Sequence, residues 1–418
     1  MTSEDLLELV DRLWSGDERI EDHHPLIGDG RLVEVASRTA FVFSFGNVCA
    51  FETDEGILLI DTSGPLFAGK VLELLQDYSE QPVVRIVYTH GHLDHVGGAP
   101  MFDADASGAG REPPQVIAHE AVTGRFDRYA MTAGYNGVIN ARQFGVPGLQ
   151  WPTDYRRPDE TYRDRHTIEL GGEEFHLRHG EGETDDATWV WAPARKVLCC
   201  GDFFIWASPN AGNPQKVQRY PKEWAATLRE MAELGAEVLL PGHGFPVVGP
   251  DRVATALTKS AELLESLVEH TLEMINAGAA LDEIVHSVRA PAELLAEPFL
   301  RPIYDEPEFV VRNLWRLYAG WYDGNPANLK PAPDKSVASE VADAFGGASR
   351  MAARALELLD EGDQRLAGHL AQWALLADPG ATGVRETYRK VFETRAESEA
   401  STMSKGIFTA AARPPDAD

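Results

Sequence analysis

Up to about residue 253 the apolar positions fall in short runs of β-branched and aromatic residues; beyond it they recur at helical spacing. Runs at 39–45, 47–52, 57–60 and 83–88 read as strands, with Asp54-Glu55-Gly56 as the turn between the second and third. Further strands are predicted at 115–118, 167–170, 174–177, 188–192, 196–200 and 237–240, and helices at 66–77 and 224–234. Strands and helices mixed in this order predict an α/β sandwich and not a doubly wound sheet. No convincing strand is predicted after Gly244. Helical spacing covers 254–277, 281–289 and 308–318, and 336–396 reads as alanine-rich paired helices interrupted at Asp378-Pro379-Gly380. No second copy follows at a fixed period, which argues against a solenoid. Segment 320–333, rich in Gly, Asn and Pro but holding Trp321 and Tyr322, reads as an ordered loop.

Composition narrows the class. A chain of 418 residues suits two domains, and the pattern divides it into an N-terminal helix and linker (1–30), a mixed domain (31–253), a helical domain (254–409) and a disordered tail (410–418). No uncharged apolar run is long enough to span a membrane. Acidic residues stand near the N-terminus where a signal peptide places Lys or Arg, so a cytoplasmic protein is expected. Three cysteines, Cys49, Cys199 and Cys200, cannot make a disulfide framework and lack zinc-binding spacing, so any metal must rely on His and carboxylate. The net charge of −28 excludes a nucleic-acid backbone or an anionic membrane as partner. An anionic small-molecule substrate would therefore need cations placed in its own pocket.

Chemistry concentrates directly after the strand ending near Tyr88, in Thr89-His90-Gly91-His92-Leu93-Asp94-His95-Val96-Gly97-Gly98. Alternate residues of an extended segment share a side, so His90 and His92 can approach one ion, while Asp94 and His95 can address a second. Imidazole suits zinc and similar cations, and a carboxylate adds charge. Three further candidates each follow a predicted strand: Gly182-Glu183-Thr184, Gly201-Asp202 and Gly242-His243-Gly244.

This order resembles the metallo-β-lactamase superfamily, in which such a cluster is followed by a Gly-His-Thr segment, a Gly-Asp with a bridging carboxylate, and a Gly-His. The resemblance implies an αββα sandwich over 31–253 and two divalent metal ions, with zinc favoured. It implies that His90, His92 and Glu183 hold one ion, that Asp94, His95 and His243 hold the other, and that Asp202 bridges them. Asp94 would also orient the hydroxide nucleophile, and Asp61 would orient a ligand histidine from behind. Glu183 stands where most of the superfamily has His. That substitution is a feature of the alkylsulfatase branch, in which a second carboxylate follows 19 residues later, as Asp202 does here. The string Arg312-Asn313-Leu314-Trp315-Arg316-Leu317-Tyr318-Ala319-Gly320-Trp321-Tyr322-Asp323-Gly324-Asn325-Pro326 resembles the hallmark of the alkylsulfatase dimerisation domain, which implies a homodimer through 254–409. Two departures stand out. The stretch after Asp202, usually rich in Asn and His, reads Asp202-Phe203-Phe204-Ile205-Trp206-Ala207-Ser208-Pro209-Asn210, and this sequence shows no sterol-carrier-like domain after the helical region.

The activity so implied is hydrolysis of a sulfate ester with an apolar alcohol portion. A sulfate needs a cationic clamp, best made by Arg. Arg125, Arg128, Asn140 and Arg142 in the insertion before Glu183, and Lys216 and Arg219 after Asp202, are the candidates. Phe203, Phe204 and Trp206 are candidates for lining an apolar channel, with core packing as the plainer alternative. Two other readings stay open: a hydrolase of a lactone, thioester or phosphoester, and a metal-binding protein without catalysis, against which the intact ligand set argues.

Overall fold

Apolar runs without polar alternation demand strands covered on both faces. The computed structural model, which describes residues 3–413, meets that demand with two stacked sheets. The first sheet holds β1 (Arg31–Ala36), β2 (Thr39–Phe43), β3 (Val48–Thr53), β4 (Gly56–Ile60), β5 (Val83–Val87), β6 (Gln115–His119) and β7 (Glu160–Tyr162), side by side in chain order. Strands β1 to β4 form an antiparallel meander, and β4 to β7 run parallel. The second sheet holds β8 (Arg165–Leu170), β9 (Glu173–His179), β10 (Thr188–Ala192), β11 (Val197–Gly201), β12 (Val238–Pro241) and β13 (Val247–Val248). It is antiparallel apart from the β11–β12 pair, which the helix Pro221–Ala232 joins.

Burial explains the layering. Ala40, Val42, Ala50, Leu59, Ile86 and Tyr88 cluster with Val71 and Leu75 of the helix Ala68–Tyr78 and Phe102 of the helix Ala99–Gly108. The alternating residues Phe41, Phe51, Leu58 and Ile60 face the other way and are buried too. There Phe51 meets Phe175 of β9 edge-on, ring centroids 5.2 Å apart. Beyond the second sheet, Trp224, Leu228 and Met231 bury one face of the helix Pro221–Ala232. The order helix, sheet, sheet, helix is the expected αββα sandwich.

Three strands escape the sequence pattern. β1 is an edge strand with one buried position, β7 has three residues, and β13 contradicts the expectation of no strand after Gly244. Each is too short or too polar to show a run.

By contacts the described chain divides into two compact units. The first comprises residues up to 133, 152–279 and 283–319, and so takes in the helices Pro250–Asn276 and Pro307–Tyr318 that the sequence pattern groups with the helical domain. The second comprises 134–151, 280–282 and 320 onward. Its core, with Met351, Ala355, Leu370, Ala371, Ala374, Val384 and Val391, joins the helices Ala348–Asp360, Gln364–Ala377 and Thr382–Ser398. The break at 378–380 is present, and Gly346, at φ 84°, ends the preceding helix Asp334–Phe345 in the left-handed region that favours glycine. Loop 320–333 contains a short helix, Pro326–Leu329, but Trp321 is 72% exposed and so does not pack within it. A last helix, Thr402–Ala411, takes in Ala410 and Ala411 of the expected tail; residues 414–418 of that tail lie outside the described residues. Among the described residues, no helix is long and apolar enough to cross a membrane.

Candidate metal centre

The loop after β5 turns into a single helical turn, Leu93–Val96, and in doing so gathers the histidines. His90 Nε2 lies 2.8 Å from His92 Nδ1. His95 Nε2 lies 3.3 Å from His243 Nε2, which follows β12 and stands 3.3 Å from Asp94 Oδ2. Asp202, just past β11, sits between the two groups: its oxygens are 3.6 Å from His90, 3.4 Å from His95 and 3.6 Å from His243. Two clusters that could hold a metal ion result, one of His90, His92 and Asp202, the other of Asp94, His95 and His243. Glu183 lies just outside the first, with Oε1 3.8 Å from His92 Nδ1.

These spacings fit divalent ions. Ligand atoms in a tetrahedron around one zinc stand about 3.3–3.6 Å from each other, close to the separations within each cluster. Glu183 Oε2, Asp202 Oδ1 and His243 Nδ1 are buried without a hydrogen-bond partner. Each unsatisfied buried group costs about 1–3 kcal/mol, and cations held in the two clusters would answer the carboxylate oxygens.

Backbone geometry explains why the cluster closes. Asp61, directly after β4, adopts φ 63°, a conformation costly for a residue other than glycine. In return its carboxylate accepts from Thr89 N and Thr89 Oγ1 at 2.7 Å each and lies 2.8 Å from His95 Nδ1. Thr62 holds the same segment by donating from N and Oγ1 to the His95 carbonyl at 2.7 and 2.9 Å. Gly242 must be glycine because a Cβ there would fall 2.1 Å from Asp202 Oδ1.

Charge is distributed unevenly across the cage. Burial, then the neighbouring His95 charge, lowers His90 to about 4, and burial and His90 push His92 down as well. Burial acts the same way on His95, but Asp202, Asp61 and Asp94 outweigh it and raise His95 to about 9. Asp202 and Asp94 similarly raise His243 against its burial. Burial would raise Asp94 too, yet His95 and His243 hold it at about 2. Glu183 is pushed up by burial and by the Asp202 carboxylate, against the pull of Arg219.

The expected substrate-binding residues scatter. Arg219 is buried and pairs with Glu183 Oε1 at 2.7 Å while also donating to the Glu183 carbonyl at 2.9 Å. Lys216, half-buried on the same loop, is lowered to about 8 by burial and by Arg219, and the charges of Asp94 and Glu183 act on it in the opposite sense. Phe203 lines a small cavity with His90, Glu183 and Asp202, and packs edge-on against Trp224. Trp206 lines no channel: it is fully buried, donates from Nε1 to the Phe245 carbonyl at 2.6 Å, and packs against Trp14 and Phe299. Arg125 is consumed by Asp186, at 2.6 Å, and by Asp185. Arg128 stacks its guanidinium over Tyr129. Asn140 and Arg142 fall on the helix Ala133–Phe144 in the second unit, not in the unit that carries the cluster.

Other residues escaped the sequence reading. Asn210 donates from Nδ2 to Glu183 Oε1 at 2.6 Å, a role its position in an irregular stretch does not announce. Asn47 secures the His243 turn, donating from Nδ2 to the Pro241 and Gly244 carbonyls at 3.0 Å. Asp186 ties Gly91 N to Arg125 and so braces the His90–His92 turn. Phe45 meets the His243 ring edge-on at 5.7 Å and stacks on Phe67 at 6.1 Å, an apolar wall beside the second cluster.

Known proteins resemble this chain in sequence and fold. The metallo-beta-lactamase superfamily model matches residues 42–243, and the alkyl sulfatase dimerisation model matches residues 280–415. An (R)-specific secondary-alkylsulfatase of Pseudomonas sp. is 30% identical over 368 residues, covering 81% of this chain and 55% of that protein. A linear primary-alkylsulfatase, also of Pseudomonas sp., is 26% identical over 351 residues, covering 78% and 66%. The solved structure of the stereoselective inverting sec-alkylsulfatase Pisa1 from Pseudomonas sp. is similar with a TM-score of 0.82 and 26% identity, covering 92% of this chain and 65% of that one. The chain thus spans between 55% and 66% of the length of these relatives. With both domains in this order and the ligand constellation at the end of β5, the chain belongs to the metallo-β-lactamase superfamily, in its alkylsulfatase-like branch with an alkylsulfatase dimerisation domain.

Proposed function

We propose that the protein is a metal-dependent hydrolase of sulfate esters with an apolar alcohol portion, working with two zinc ions. His90, His92 and Glu183 would hold one ion, Asp94, His95 and His243 the other, and Asp202, placed between the two groups, would serve both. The observation that carries this reading is the buried cage that gathers two His-and-carboxylate clusters, with Glu183 3.8 Å from His92 and an unsatisfied oxygen on each of Glu183 and Asp202. The names of the relatives supply the substrate class.

When bound, the ions supply a water-derived nucleophile near neutral pH and neutralise charge developing on the ester oxygen. The chain's own residues do the rest. Asp61 fixes the ring of His95 by accepting at Nδ1, leaving Nε2 for the ion. Asp94, kept ionised by its histidine neighbours, orients the nucleophile. Arg219 presents a buried Nε without a hydrogen-bond partner, a donor for a sulfate oxygen, and Lys216 adds a second cation from the same loop. Phe45 and Phe67 receive the apolar portion beside the second cluster, while Phe203 lines the small cavity at His90, Glu183 and Asp202.

A homodimer through the helical region belongs to the same reading. It is supported by the match over 280–415 and by the exposed Trp321, Leu329, Val337 and Leu366 of the second unit. A cytoplasmic location is supported by three buried cysteines that form no disulfide. The decisive assay incubates the zinc-loaded protein with alkyl sulfates of several chain lengths and measures inorganic sulfate by barium turbidity. Sulfate release is expected. Turnover of a lactone, thioester or phosphoester with no sulfate release would overturn the proposal.

A further inference from the structure

Both side chains that grip Glu183 come from one irregular loop, between β11 and the helix Pro221–Ala232. Asn210 and Arg219 reach Glu183 Oε1 at 2.6 and 2.7 Å, and all three residues are buried. A loop without regular hydrogen bonding cannot hold two side chains to such distances unless its backbone groups are satisfied elsewhere. Here they are satisfied by a segment distant in sequence. Ser208 N donates to the Arg301 carbonyl at 3.0 Å. Asp305, fully buried, accepts from Gly212 N at 2.5 Å and Asn213 N at 3.1 Å through one oxygen, and from Glu306 N at 2.7 Å through the other. Asn313, on the helix Pro307–Tyr318, donates to the Arg219 carbonyl at 3.0 Å and accepts from Gln218 Nε2 at 3.0 Å. Arg316 completes the contact, donating to Gln218 Oε1 at 3.1 Å and to the Lys216 carbonyl at 3.3 Å. Gly212 lies so close to that helix that a Cβ would fall 2.3 Å from the Phe309 carbonyl carbon.

We propose that Asp305 and Asn313 are positioning residues for the metal centre. They fix the 208–219 loop so that Asn210 and Arg219 present Glu183 to the ion it shares with His90 and His92. The proposal rests on the two-ion reading above and adds to it a region the β-sandwich does not contain: both residues fall within the span matched by the dimerisation model. A buried carboxylate is an expensive way to hold a loop if holding it serves nothing. Burial raises Asp305 to about 6, against the pull of its three N–H donors and of Arg219, so the ionised form is kept at a cost to stability. Its arrangement is also specific, since each oxygen faces only donors and an amide in its place would turn N–H against N–H.

The test measures zinc affinity at each site by competition with a chromophoric chelator, in full-length wild type, Asp305→Asn, Asn313→Ala, Asn210→Ala and the Asp305→Asn/Asn210→Ala double variant. Asp305→Asn and Asn313→Ala are expected to weaken one of the two sites by about 10–100-fold and leave the other unchanged. A general loss of stability would weaken both sites alike. In the Asn210→Ala background Asp305→Asn should add little, because the path it acts through is already cut. Equal weakening of both sites, no weakening of either, or effects that multiply in the double variant would overturn the proposal. A wild type binding fewer than two ions would overturn both this proposal and the two-ion reading. A wild type that binds two ions but releases no sulfate would refute only the substrate, and the variant affinities would still decide the role of Asp305.

Discussion

Support for the two halves of the cage comes from opposite directions. The half with Asp94 and His95 is braced from directly behind, by Asp61 at the end of a neighbouring strand, through bonds of 2.7–2.8 Å to Thr89 and His95. Both strands involved, β4 and β5, lie within the first sheet and are paired along their length. The half with Glu183 is braced from outside the sheets, by Asn210 and Arg219 on a loop that itself leans on Asp305 and Asn313. A strand end is held by its ladder before any side chain contributes, whereas a loop is held only by the groups that satisfy it. One half is therefore rigid by construction. The other depends on residues about a hundred positions downstream, and substitutions there can tune it without touching the sandwich.

Asp202 faces both halves of the cage. Asp202→Ala should abolish turnover, with kcat/KM falling by about three orders of magnitude, the several kcal/mol expected for losing metal-based charge stabilisation. Elemental analysis should then find fewer than two ions. A variant that keeps both ions and more than a tenth of its activity would mean that Asp202 joins nothing.

A smaller effect sharpens the contrast. Asp61→Asn replaces an acceptor facing three donors by a group that can satisfy only some of them, and should weaken the site of Asp94, His95 and His243 by about 10–100-fold. Asn210→Ala should weaken the other site instead. Site-resolved zinc titration reads both, and a variant that lowers the two affinities together would show that the halves are not separately supported.

The smallest effect separates site from core. Trp206→Phe loses one buried hydrogen bond, to the Phe245 carbonyl, and should lower stability by about 1 kcal/mol with a fall of a few degrees in Tm. Its preference among alkyl chain lengths should match that of wild type. A shift in that preference would return Trp206 to the substrate channel.

The contrast between the halves also explains what the sequence discloses. His90, His92, Asp94 and His95 are legible because the apolar run of β5 predicts a buried strand, and four ligating side chains follow it within six positions. Asp61 is legible only through the family resemblance, since a place at the end of β4 does not by itself give it a role. The α/β sandwich follows from the mixed order of strands and helices, and its αββα layering from the family resemblance. Glu183 is a candidate because it follows a predicted strand, but its role emerges only through the family pattern, since nothing local distinguishes it from Glu181. Asn210 and Asp305 are illegible because their roles exist only once distant loops meet. Trp206 misleads for a related reason: it closely follows Asp202 in sequence, but at φ 53° the backbone turns left-handed and its ring lies among Trp14, Phe245 and Phe299. Asn140 and Arg142 precede Glu183 in sequence, yet their helix belongs to the second unit.

One measurement addresses the centre of the account most directly: sulfate released from a long-chain alkyl sulfate by the same protein as purified, after exhaustive chelation, and after return of two equivalents of zinc. Release is expected at first, absent after chelation and restored by the metal. Hydrolysis that survives removal of both ions, or a fully reloaded protein that liberates no sulfate from any chain length, would contradict it.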